Sequence, residues 1–164
     1  MLSIKLLKEL NNFVERYTHI LESVICEDAV NSRSYSCEPI GQDKVTDFIK
    51  NNRKPSFSKL LLKYIDRTGV SDSEIYKKAG IDRRHFSKIR STPDYHPRKH
   101  TAIALALALE LDKKETVKLI GAAGYTLSES ETFDLVISFC LEHKIHALDD
   151  VNQALDYFSL KPLA

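Results

Sequence analysis

The chain has 164 residues, 43% hydrophobic and 29% charged, with 24 Lys and Arg against 23 Asp and Glu for a net charge of +1. That balance excludes wholesale disorder, and the length suits one domain with an extension, or two small ones, around a real core. Five Gly, five Pro and no Trp disfavour a Gly-rich nucleotide-binding enzyme or a turn-dense β-sandwich, and the Leu-, Ala-, Lys- and Glu-rich composition predicts an all-α fold.

The first element expected is one amphipathic helix over about residues 2–30. Leu6, Leu10, Phe13, Tyr17, Ile20 and Val24 recur at helical spacing, with Leu7, Val14 and Leu21 alongside. Such a stripe serves equally as a coiled-coil arm for a homodimer or as a face packed on its own domain. Charges break the opening MLSIKLLKEL too early for a signal peptide or a membrane span, so a cytoplasmic protein with no membrane contact is expected. Cys26, Cys37 and Cys140 have no metal-ligand spacing, even with His19 nearby, and read as reduced thiols.

Residues 31–43 are polar, contain Pro39 and Gly41, and read as a connector, followed by a short helix over 44–50 and a break at 51–56. This divides the chain into an N-terminal helix with linker (1–55) and a helical domain (56–164). In the second part Phe57, Leu60, Leu61, Tyr64 and Ile65 form a helical stripe ended by Gly69. Ser71 and Glu74 form a capping box, with Val70 placed as a staple for Ile75, and Gly80 stops that short helix. Asp82 caps the next, which carries Phe86 and Ile89 on its inner side. After a turn-rich loop (91–97), the run from Thr101 to Leu111 is apolar on every side and predicts a central buried helix. Asp112 with Glu115, then Ser128 with Glu131, read as caps of two further helices, and Asp149 or Asp150 as the opening of the last. No segment alternates at period two. The expectation is an orthogonal bundle of about seven short helices over 56–164.

The near-neutral total conceals an uneven distribution. Residues 50–100 hold 14 basic and 5 acidic side chains, whereas 1–49 hold 5 and 8, and 101–164 hold 5 and 10. A basic middle third between acidic flanks is a footprint for a polyanion. The helices 71–79 and 82–91, joined through Gly80 and Ile81, have the length and punctuation of a helix-turn-helix. At 100° per residue, Phe86 and Ile89 mark the buried side of the second helix. Arg84, Ser87, Lys88 and Ser91 then point outward, with Arg83 and Arg90 on one flank and His85 on the other. Outward Arg and Lys suit base edges in a major groove, while the flanking charges and the Arg98, Lys99 and His100 cluster suit phosphates.

The stretches SEIYKKAGI, DRRHFSKIR, the loop to Pro97 and HTAIALALALEL make residues 57–120 resemble the phage repressor and Cro class of helix-turn-helix domains, the XRE or lambda repressor-like family. That resemblance implies a double-stranded DNA-binding transcriptional regulator in which Arg83, Arg84, Ser87 and Lys88 meet DNA. Three positions depart from the family: Tyr76 replaces a small alanine, Asp72 replaces a phosphate-binding glutamine, and Arg90 replaces a glutamate. The segments IDRRHFSKIR, DYHP and AGYTLS are also similar to a module of bacterial proteins that is sometimes fused to effector domains. From this comes the alternative expectation, a non-catalytic adaptor or sensor whose bundle docks a protein. No nucleophile elbow, zinc-protease, Walker or dinucleotide motif is present, so neither an enzyme nor a cofactor is expected, and His143 with His146 do not make a metal site.

Overall fold

The computed structural model describes the backbone of residues 4–24 and 42–163, and the side chains of 4–16 and 43–163. Among these residues the fold is all-α. Its helices are α1 (Ile4–Val24), α2 (Gln42–Asn52), α3 (Phe57–Thr68), α4 (Asp72–Lys78), α5 (Arg83–Ser91), α6 (Lys99–Ala108), α7 (Lys113–Ala122), α8 (Thr132–Glu142) and α9 (Leu148–Tyr157). The side chains of His19, Tyr17, Ile20, Leu21, Val24, Cys26 and Cys37, and the connector up to Gly41, lie outside the described residues.

Helix α6 is the axis of the bundle. Ala102 through Ala108 are all buried, and no polar side chain interrupts the run. α4, α7 and α9 pack against it, α3 lies on α7 and α5, and α8 lies between α7, α9 and α1. The small alanines let neighbouring helices approach closely while Ile103, Leu105 and Leu107 fill the space between them. Leu10 and Val14 of α1 belong to the same core, and Phe13 meets Phe139 of α8 edge-on with ring centroids 5.4 Å apart. The described part of the N-terminal stripe thus packs on its own chain. α3 and α7 are also tied at the surface by a two-pronged ion pair between Arg67 and Glu115. That hydrogen-bonded pairing holds the Glu115 carboxyl below its ordinary range.

A single device ends five of the helices. One residue with positive φ (Gly80, Glu110, Gly124, Lys144 or Ser159) is followed by a residue whose N–H donates back to a carbonyl five positions earlier: Ile81 to Tyr76, Leu111 to Ala106, Tyr125 to Ile120, Ile145 to Cys140, Leu160 to Leu155. This is the Schellman arrangement, and it turns the chain sharply enough to pack short helices at steep angles. Only two of the five positions are glycine, so Glu110, Lys144 and Ser159 sit where an L side chain is disfavoured.

Several boundaries differ from those the sequence predicts. α2 extends over Asp43 and over Asn51 and Asn52, and α6 starts at Lys99 and ends at Ala108. Ser128 does not cap α8. That helix begins at Thr132, its N-cap Glu131 makes no side-chain bond, and the Ser128 N–H donates to the buried Asp134 carboxylate. An acceptor inside the helix has drawn residues 128–131 into a turn across its start. Asp149 and Asp150 lie within the first turn of α9, where the helix dipole favours acids, and Ala147 holds the cap position.

Candidate nucleic-acid interface

The basic segment is shaped by two locally encoded helix starts. At α4, the Ser71 hydroxyl accepts from the Glu74 N–H at 3.4 Å while Glu74 Oε2 accepts from the Ser71 N–H at 3.2 Å, a reciprocal capping box. The Ser71 bonds hold the Glu74 carboxyl below its usual range. At α5, Asp82 Oδ1 accepts from the Arg84 N–H at 2.9 Å. Between them Gly80, at φ +63°, makes the turn.

Packing fixes which side of α5 faces inward. Phe86 and Ile89 are buried, and the Phe86 ring lies 6.1 Å from the ring of Tyr76. Tyr76 is half-buried and Ala79 fully buried. The C-terminal end of α5 is held by Ser58 of α3, a buried hydroxyl 2.8 Å from the Ile89 carbonyl and 3.1 Å from that of Thr92. Few sequence signals would single out Ser58, since its acceptors lie more than thirty residues away.

The outward side is polar and basic. Arg83, Arg84, Ser87, Lys88, Arg90 and Ser91 are all exposed, as the helical projection predicts. Among the described residues Arg83 and Arg84 have no ion-pair partner, and Lys88 lies over the Tyr95 ring, 5.6 Å from its centroid. His85 is half-buried, with Nε2 2.9 Å from the Tyr95 hydroxyl. Tyr95, from the loop after α5, thus braces both His85 and Lys88.

Three further predicted positions have different surroundings. Arg90 forms an ion pair with Asp72 of α4, which neutralises a flank cation. Lys99 turns inward: its Nζ is 2.6 Å from Asp134 Oδ2, and Asp134 is 1% exposed. Arg98 is exposed at the N-cap of α6. The structure brings Arg83, Arg84, Ser87 and Lys88 together on one face and pairs the half-buried Lys99 with the buried Asp134. No group of three or more His, Cys, Asp or Glu side chains among the described residues is placed to hold a metal ion. Nor is any helix among them long and apolar enough to cross a membrane. Neither a protein-family model, a curated protein nor a solved structure matches the chain.

Proposed function

We propose that this chain binds double-stranded DNA through α5 and acts as a transcriptional regulator of the phage repressor and Cro type. The observation that carries this reading is the exposed face of α5 formed by Arg83, Arg84, Ser87 and Lys88, opposite the buried Phe86 and Ile89. With its side chains an α-helix is about 10–12 Å across, which a major groove about 12 Å wide admits. Arginine and lysine on such a face can donate two bonds to guanine O6 and N7. Reading a palindromic operator would need two copies with recognition helices about one DNA turn, roughly 34 Å, apart. The N-terminal helix and the acidic C-terminal helices are the two candidate surfaces for that pairing, although Leu10 and Val14 of the former are already buried in the chain's own core.

The test is fluorescence anisotropy of labelled duplex fragments from around the protein's own gene, across a salt series, with scrambled duplex as competitor. Tight binding to one fragment that resists competitor, and its collapse in Arg84→Ala/Lys88→Ala, is the expected result. Absence of salt-dependent binding to any duplex would overturn it. A second reading, an adaptor whose basic face docks a protein, gains support from the Arg90–Asp72 and Lys99–Asp134 pairs, which make the positive face narrower than the composition implies.

A further inference from the structure

A second concentration of positive charge lies outside the helix-turn-helix. Lys50 at the end of α2, Arg53 and Lys54 in the connection, and Lys59 in the first turn of α3 line one open cleft of about 520 Å³ together with Pro93 and Asp94. All four cationic side chains are exposed, and none has an ion-pair or hydrogen-bond partner among the described residues. Asp94 is the one acidic side chain on the lining. Four unpaired cations converging on one acid repel each other, an arrangement that a polyanion relieves.

Its location is set by the bonds already described. Ser58, next to Lys59, holds the carbonyls of Ile89 and Thr92, so the cleft opens where α5 ends and the turn at Pro93 begins. A helix seated in a major groove is bordered on both sides by phosphate strands, which cations held beside its C-terminal end can contact. The first turn of α3 adds to the positive field there, because its N-cap Ser56 makes no side-chain capping bond.

We propose that this cleft is a sequence-independent clamp on the DNA phosphate backbone, gripping the strand that borders the groove at the C-terminal end of α5. The proposal rests on the DNA reading of α5 but has its own signature, because phosphate contacts act through counterion release on any sequence. The experiment measures the dependence of log Kobs on log salt for the full chain, on the bound fragment and on scrambled duplex. Lys50→Ala/Arg53→Ala/Lys54→Ala should lower the slope by about 2–3, close to 0.9 per contact, equally on both duplexes and without changing their affinity ratio. Asp94→Asn should tighten both. Thermal melts serve as the folding control, since every altered side chain is exposed.

A triple variant with the wild-type slope overturns the clamp, and if Arg84→Ala/Lys88→Ala still abolishes discrimination, the reading of α5 stands without it. A lowered slope in the triple variant, with no effect of the Arg84 and Lys88 changes, keeps the clamp and removes base readout. If the wild-type chain binds no duplex in a salt-dependent way, both fall.

Discussion

Replacing Lys99 by alanine separates two roles that a lysine beside a basic loop can play. If Lys99 steadied phosphates, its loss would leave stability unchanged and lower the salt slope of DNA binding by about 0.9. The structure places it elsewhere. Asp134 is 1% exposed, its Oδ2 accepts from Lys99 Nζ at 2.6 Å and from the Ser128 N–H at 2.7 Å, and its Oδ1 has no hydrogen-bond partner among the described residues. Removing one member of a buried pair costs about 3–5 kcal/mol, because the remaining charge is left without compensation. The Lys99 side chain is 28% exposed, so water can enter the space it vacates and the expected loss is about 2–3 kcal/mol. For a chain of this size that corresponds to a fall in Tm of about 5–10 °C. Urea unfolding followed by circular dichroism reads the loss directly. Lys99→Met/Asp134→Leu, which removes both charges together, should regain most of it. A Lys99→Ala variant within about 0.5 kcal/mol of wild type, the range of ordinary surface changes, would refute the reasoning.

Other outcomes follow from the same structure. Ser58→Ala strips two carbonyls at the end of α5 of their donor inside the core, and urea titration should show a loss of about 1–3 kcal/mol. Lys144→Gly relieves a left-handed residue at φ +55° and should raise stability by roughly 0.5–1 kcal/mol; a decrease would show that the strain is absent. Leu10→Ala should cost about 2–4 kcal/mol at every protein concentration, whereas a loss that vanished on dilution would mean Leu10 packs on a second copy. Burial pushes the Cys140 thiol up to about 12 from 9. Stability from this group is therefore complete below pH 9, where both states hold the proton, and declines as pH rises from 9 towards 12, where the unfolded chain alone ionises. In a Cys26→Ser/Cys37→Ser background, a thiol reagent at pH 8 should label Cys140 only at the rate of global unfolding, and rapid labelling would contradict its burial.

What the sequence by itself determined is what acts over a few residues. The capping box at Ser71, the caps at Asp82 and Asp112, and the left-handed turn at Gly80 each stand where their spacing predicts, because each bond spans two to five positions. The outward face of α5 was legible for the same reason: once Phe86 and Ile89 are inside, the helical period dictates where Arg84 and Lys88 point. Even locally the reading stops at Ser128, since a cap pattern does not show that Asp134 will be buried and compete for the same N–H. Nor does it reveal helix ends at Glu110, Lys144 and Ser159, where downstream packing enforces a conformation no glycine announces.

Tertiary structure alone decided which charges are available. Arg90 and Asp72 are 18 positions apart, Lys99 and Asp134 are 35, and no spacing rule connects them. The same holds for Leu10 against α8 and for the cations gathered from α2, the connection and α3 around one cleft. A helix states its own faces through its period. Which neighbour covers each face, and which charge neutralises which, follows only from how the short helices turn at their ends and stack around α6.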